Sequence, residues 1–123
     1  MSTLSTSITY DESTSLVMMT LRGVVSAEDV IKTYQRANTY AMNYKSSKLL
    51  IDVTELEHDF AAIDIVSLMP KVAHALHNIK LARVVSFNGY MHDLFLQKAK
   101  RFGITVENFD CFKTAKNWLS NTN

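Results

Sequence analysis

The sequence predicts a single α/β domain with a mixed, mostly parallel sheet, and three observations support this. Short runs of β-branched and other apolar residues alternate with segments whose apolar residues recur every three or four positions, which is typical of strands alternating with helices. The run over residues 49–53 is apolar almost throughout, as in a parallel strand that is buried on both faces. Near the N-terminus, five turn-forming residues separate two short apolar runs, which indicates an antiparallel hairpin. The predicted order is therefore ββαβαβαβα.

The length and composition agree with one domain. The chain has 123 residues, of which 47% are hydrophobic and 20% are charged, so it can bury enough apolar surface to fold. It contains no internal repeat and no Gly/Ser-rich linker. We predict one domain over residues 1–123 with an ordered core over about residues 7–120.

The first half of the chain carries clear local signals. Strands are expected over residues 7–10 and 16–22. Ser26 and Asp29 stand three residues apart before an apolar stripe, which predicts a capping box and a helix to about Asn43. A second helix is expected after the strand at 49–53, with Asp59 as its N-cap and a kink or restart near Pro70, because proline lacks the amide hydrogen.

The second half continues the alternation. A strand over residues 81–87 should end at Asn88 and Gly89, and a helix should follow over residues 91–102, with Gly103 closing its C-terminus. A last strand over residues 104–109 precedes a helix that we expect Asp110 to cap. The aromatic side chains of this region are expected in the core rather than around a pocket: Phe102, Phe109, Phe112 and Trp118.

Charge and cysteine content exclude several classes of protein. Lys and Arg number 13 against 12 Asp and Glu, so the basic surplus that a nucleic-acid binder needs is lacking. The one cysteine, Cys111, allows no internal disulfide. No apolar run approaches the ~20 residues of a membrane span, and residues 1–7 do not resemble a signal peptide. We expect a cytoplasmic protein without an integral membrane segment.

No motif for catalysis or cofactor binding stands out. The three glycines are isolated, so no phosphate-binding loop is formed. His74 and His77 have the spacing of a helical metal pair but no evident third ligand. Cys111 lacks a local histidine base and is expected to be a packed, inert thiol. We therefore predict no enzyme activity, no cofactor and no metal.

One segment could form a binding surface. Residues 45–67 carry two basic and five acidic side chains, and several of these follow the central strand. Ligands of open α/β sheets bind at the carboxyl ends of strands, so a metal or acid/base site is one interpretation. The alternative is helix capping within a solvated acidic loop. The candidate binding residues are Asp52, Glu55, His58, Asp59 and Phe60.

The pattern resembles the SpoIIAA-like proteins, relatives of the STAS domain that are also likened to the lipid-binding Sec14 fold. The resemblance spans about residues 7–120 and rests on short motifs: the strand at 49–52, Asp59 and Phe60, the strand at 83–85, and residues 109–119. It implies a regulatory module that binds another protein or its own copy. The Sec14 likeness implies an alternative, a carrier of lipid or another apolar ligand.

The sequence departs from the phosphorylatable members of that family at one place. Those proteins carry an Asp-Ser pair at the start of the helix after the central strand. Here the matching residues are Asp59, Phe60, Ala61, Ala62 and Ile63, which have no hydroxyl group. The resemblance therefore implies a module without the serine switch.

Overall fold

The computed structural model describes residues 4–86 and 89–121. Its elements follow the predicted order: β1 (Ser5–Asp11), β2 (Leu16–Val25), α1 (Ala27–Asn43), β3 (Lys48–His58), α2 (Ile63–Ala75), β4 (Lys80–Val84), α3 (Tyr90–Arg101), β5 (Thr105–Phe109) and α4 (Phe112–Ser120). Phe87 and Asn88, which the sequence places at the end of the strand now labelled β4, lie outside the described residues.

The five strands form one mixed sheet in the order β1-β2-β3-β4-β5. The hairpin strands β1 and β2 are antiparallel, with Tyr10 opposite Val17. The other neighbouring pairs are parallel, with Ile51 opposite Arg83 between β3 and β4. This confirms the predicted mixed sheet with an N-terminal hairpin.

Helices cover the two faces of the sheet unequally. Helices α1, α2 and α3 pack side by side on one face and enclose the larger hydrophobic core. On the other face α4 packs over β3, β4 and β5, where Ala115 and Leu119 contact a smaller cluster. Leu49, Leu50 and Ile51 are fully buried, so the central strand is covered on both faces at this point, as predicted.

Two helix ends have the predicted chemistry. The Ser26 hydroxyl accepts the Asp29 N–H at 3.1 Å, and the Asp29 carboxylate accepts the Ser26 N–H at 3.1 Å, which completes the capping box. After α3, Gly103 has a φ of +83° that favours glycine. The N–H groups of Gly103 and Ile104 donate to the carbonyls of Lys100 and Ala99, the two bonds of a Schellman motif.

The region around α2 corrects three expectations. Strand β3 continues to His58, where an acidic loop was expected. Asp59 does not cap α2, because the helix begins at Ile63 and Asp64 instead accepts the Ala61 N–H at 3.2 Å. Of the kink and the restart predicted near Pro70, the restart does not occur, because α2 is continuous from Ile63 to Ala75.

The C-terminal region brings further corrections. The N-cap position of α4 is Cys111 and not Asp110, and the Cys111 thiol is exposed rather than packed. Phe102 and Phe112 are also on the surface, with 47% and 40% of their area exposed, and both stand at helix ends. Phe109 and Trp118 do pack together against the smaller core cluster.

The capping box gives a test of the local physics. Replacing Ser26 with Ala leaves an N–H of α1 without an acceptor, so we expect the free energy of unfolding to fall by about 1 kcal/mol. Urea denaturation measures this. The matched control is Ser67→Ala, at an exposed position inside α2, which should change stability by less than about 0.5 kcal/mol. Equal effects of the two substitutions would contradict the assignment.

Candidate functional site

An irregularity in β3 determines where the candidate residues lie. Thr20 of β2 pairs with Asp52 of β3, but Arg22, two residues later, pairs with Glu55, three residues later. The extra residue in β3 is a β-bulge, which reverses the side to which the following residues point. Leu56 and His58 therefore face helices α1 to α3, a side they would not reach in a regular strand.

The bulge also involves Asp52, the first of the predicted site residues, in local hydrogen bonds. The Asp52 carboxylate accepts the backbone N–H of Thr54 at 2.9 Å and its hydroxyl at 2.7 Å. These bonds satisfy the backbone amide at the irregularity. Asp52 therefore has a local structural role, and its side chain lies on the face of the sheet that α4 covers.

The bulge divides the predicted binding residues into two groups. Asp52 and Glu55 lie on the α4 face, where Glu55 forms an exposed ion pair with Arg22 at 2.9 Å. His58 and Phe60 lie on the opposite face with their ring centroids 5.5 Å apart. The exposed Asp59 follows β3 and donates its backbone N–H to Val25 at 2.8 Å.

His58 joins a polar group that we call the Arg83 cluster: Tyr34, His58, Arg83, His92 and Asn108. Arg83 is 2% exposed and contacts three elements. Its Nε donates to the Tyr34 hydroxyl at 3.3 Å. Its Nη1 donates to the His92 carbonyl at 3.3 Å and to Asn108 Oδ1 at 3.1 Å. Its Nη2 lies 3.0 Å from His92 Nδ1.

The charge of Arg83 has no negative partner among the described residues. No carboxylate of residues 4–86 or 89–121 lies within salt-bridge distance of it, and every acceptor that it uses is neutral. The guanidinium carbon lies 4.1 Å from the centroid of the Phe95 ring, a cation–π contact that offsets part of the desolvation cost. A buried charge is usually paired with an opposite charge, so this arrangement is unusual.

His92 is held neutral by this environment. It is 3% exposed, and burial together with the nearby Arg83 and His58 lowers the pKa of His92 to about 3. Because a guanidinium only donates, Nδ1 must be the acceptor of the Arg83 bond, which leaves the proton on Nε2. The His92 carbonyl also accepts from Asn108 Nδ2 at 3.1 Å, so β5 and α3 are linked to the same centre.

His58 forms the outer part of the cluster. Its ring meets the His92 ring edge-on, with centroids 4.8 Å apart, and it is half-buried. Burial and then the charge of Arg83 lower the pKa of His58. Both histidines therefore favour their neutral forms beside a permanent cation.

A cavity of about 10 Å³ lies between the sheet and the three helices at this place, with room for about one water molecule. Most of its wall is apolar. The residues of the cluster that line it are Tyr34, His58 and Arg83. Its partly exposed wall consists of Leu56, His58 and Phe60, so these side chains separate the cavity from solvent.

Sequence reasoning identified His58 but missed the rest of the cluster. Arg83 carried the one available signal, since a charged residue stands within the apolar run of β4. Its partners come from α1, α3 and β5, and no spacing along the chain connects these elements. Among the described residues, no group of three His, Cys, Asp or Glu side chains could hold a metal ion.

Two larger clefts are open and lie at opposite ends of the sheet. One of about 450 Å³ borders the amino ends of β4 and β5, next to Lys80 and Thr105. Another of about 600 Å³ borders their carboxyl ends, next to Ser86, Asn108 and Asp110. Within residues 4–86 and 89–121, no helix combines the length and apolar character required to cross a bilayer.

The neutral state of His92 predicts a pH dependence of stability. The folded pKa lies near 3 and the ordinary pKa is 6.5, so the unfolded chain binds the proton first as the pH falls. The contribution of His92 to the free energy of unfolding is therefore complete above pH 6.5. It decreases as the pH falls towards 3, by up to about 1.4 kcal/mol per pH unit.

His92→Asn tests this, because its amide oxygen can replace Nδ1 as the acceptor of the Arg83 bond but does not titrate. The free energy of unfolding of the variant, measured by urea denaturation, should fall less steeply between pH 6.5 and 4 than that of the wild type. Circular dichroism at pH 7 checks that the variant folds. Parallel pH profiles of the two proteins would show that His92 is not the titrating group.

Comparison with known proteins bears on the fold. No protein-family model matches the sequence, and no curated protein matches it. Two solved structures are similar over nearly their whole length. An anti-sigma factor antagonist from Mycobacterium paratuberculosis has a TM-score of 0.65 and 10% identity, with 97% of this chain and 96% of that chain covered.

The second structure is an uncharacterized protein of the DUF3478 family from Shewanella loihica PV-4, described as having a SpoIIAA-like fold. Its TM-score is 0.58 at 20% identity, with 94% of this chain and 93% of that chain covered. These similarities confirm the resemblance that the sequence motifs indicated. The chain has a SpoIIAA/STAS-like fold.

Proposed function

We propose that this chain is a non-catalytic, protein-binding module of the STAS type that acts without a phosphorylatable serine. The observation that carries the proposal is an apolar patch on the outer surface where α2 begins. Ile63 is 69% exposed and Val66 is 43% exposed. They stand three residues apart, so they share one face of the helix. Neighbouring exposed apolar side chains of this size mark interaction surfaces.

The start of α3 places a third exposed apolar side chain at the same edge of the sheet. Helices α2 and α3 both follow parallel strands, so both begin at the carboxyl edge, and they pack against each other. Tyr90, the first residue of α3, is 70% exposed. Tyrosine is enriched at protein interfaces because it combines a large apolar surface with a hydroxyl group. We define the carboxyl-edge patch as Ile63, Val66 and Tyr90.

The charges around this patch indicate the chemistry of the partner. Glu57, Asp59 and Asp93 are exposed near the starts of the same two helices. An apolar centre with an acidic rim fits a partner that has an apolar contact surface bordered by Lys or Arg. Of the predicted binding residues, Asp59 and Phe60 precede α2 in the chain, so we include them in the proposed contact, whereas Asp52 and Glu55 would form a separate contact on the α4 face.

The similarity to an anti-sigma factor antagonist supports a regulatory role of this kind, since that protein by its name acts on another protein. The N-cap position of α2 is Ala62, preceded by Ala61. Neither side chain can accept a phosphoryl group. Ser67 is exposed but lies in the second turn of α2, away from its start. We therefore propose that binding at this edge is not controlled by phosphorylation of the helix start.

The alternative prediction was a carrier of a lipid or another apolar ligand. Small-molecule sites commonly occupy about 300–1,000 Å³ and enclose most of the ligand. The cavity between the sheet and helices α1 to α3 measures about 10 Å³. The clefts of about 450 and 600 Å³ at the ends of the sheet are large enough but open to solvent, so they would not enclose an apolar ligand, and we do not adopt the alternative.

The proposal predicts that charge at the carboxyl-edge patch abolishes binding. We expect the double substitution Ile63→Lys and Val66→Lys to lower retention of the specific partner at least about tenfold, since it places two cations in an apolar contact. Affinity capture from the native lysate, quantified by mass spectrometry, measures retention. Sedimentation of the purified protein tests the case in which the partner is a second copy.

The matched control is Met42→Lys at the other end of the fold. Met42 is 68% exposed near the end of α1, so its replacement adds a cation without touching the patch. The control should retain the partner as the wild type does. The proposal is overturned if all three proteins retain the same partners equally, or if the wild type neither retains a partner nor self-associates.

A further inference from the structure

We propose that the Arg83 cluster is a binding site for a small monovalent anion, either a halide or the carboxylate group of a small organic acid. The anion would lie in the cavity beside the guanidinium of Arg83 and the ring of His58. This inference is independent of the proposed partner binding. It rests on the unbalanced charge of Arg83, on one of its N–H groups that lacks an acceptor among the described residues, and on the cavity beside it. Each of these observations indicates a small anion.

The first observation is the unbalanced charge. Arg83 is 2% exposed and its described acceptors are one hydroxyl, one backbone carbonyl, one amide oxygen and one imidazole nitrogen. None of these carries a negative charge when the histidine is neutral. Burial of a guanidinium without a counter-ion is unfavourable, and an anion beside it would remove that cost.

The second observation is an unused donor. A guanidinium has five N–H groups in a planar fork. Four are accounted for by the bonds from Nε, Nη1 and Nη2 to Tyr34, His92 and Asn108. One N–H of Nη2 has no acceptor among residues 4–86 and 89–121, and Arg83 lines the cavity. Hydrogen bonds from a guanidinium to an anion are among the strongest that proteins form.

The third observation is the size and composition of the cavity. At about 10 Å³ it accepts one atom or small group rather than an extended molecule. Val53, Ile65 and Phe95 form part of its wall, so water competes weakly there. A longer acid would need its remaining atoms to leave past His58 and Phe60, which are half-buried.

The surrounding charges permit this site. The titratable groups that face the cavity or contact Arg83 are His58 of β3, Tyr34 of α1 and His92 of α3, and none of them is a carboxyl group. Two acidic residues of β3, Asp52 and Glu55, point to the other face of the sheet. The bulge in β3 thus keeps these carboxylates away from Arg83.

Anion binding should be visible at His58. Burial and then the charge of Arg83 lower the pKa of His58; with Arg83 neutralised by the anion, the second cause is removed, so the pKa should rise. The test titrates the full chain with sodium chloride and, separately, with sodium formate, at constant ionic strength kept with sodium sulfate, whose divalent five-atom anion is too large for the cavity. The imidazole resonances of His58 and His92 are followed by NMR across pH 5–8 with saturating anion.

The result expected is a saturable shift of the His58 resonances and a higher His58 pKa with chloride, formate or both. A response to chloride alone identifies a halide site, and a response to formate identifies a carboxylate site. The Arg83→Met variant should lose the response, whereas Arg101→Met, which removes an exposed arginine of α3, should keep it.

The wild-type titration decides the question even if Arg83→Met does not fold. The inference is overturned if neither chloride nor formate shifts the His58 resonances beyond the sulfate reference. It is also overturned if a folded Arg83→Met variant responds as the wild type does, because the anion would then bind elsewhere.

Discussion

The guanidinium of Arg83 links two helices and a neighbouring strand through hydrogen bonds. From β4 it bonds to Tyr34 of α1, His92 of α3 and Asn108 of β5. The most distant of these partners, Tyr34, is 49 residues away from Arg83 in the sequence. Hydrophobic packing alone allows helices to slide on a sheet. Directional bonds to a buried charge are far less tolerant, because a displaced acceptor leaves a donor without a partner.

Local sequence signals predicted those parts of the fold that depend on neighbouring residues. The capping box of Ser26 and Asp29 involves only four consecutive residues, and the turn at Gly103 depends on its own φ. The order of elements and the mixed sheet followed from the alternation of short apolar runs with segments whose apolar residues recur every three or four positions. A strand apolar over residues 49–53 had to be covered on both faces, and the structure covers it.

The errors arise where a distant contact overrides the local pattern. The acidic residues after residue 53 read as a loop, but β2 extends alongside them as far as Val25 and pairs with β3 up to His58. Asp59 has the chemistry of an N-cap, yet its backbone N–H is bound to Val25, and the helix starts four residues later. Neither pairing can be deduced from residues 45–67 alone.

The same limit applies to the site. A regular strand would have placed Asp52 and His58 on one face, since they are six residues apart. The bulge separates them, and it sends one to a hydrogen bond with Thr54 and the other to the Arg83 cluster. The candidate residues were therefore close along the chain but belong to two surfaces. The partners of Arg83 are 9, 25 and 49 residues away from it, and no regular spacing in the sequence predicts that they meet.

The sequential strand order has a consequence for how the chain assembles. Each strand after the first pairs with the strand made immediately before it, so every new pairing spans no more than one turn or one helix. Short closures carry a small entropic cost. The nascent sheet can thus grow strand by strand from its N-terminal edge as each segment is synthesised, and α4 covers the second face only after all five strands have been made.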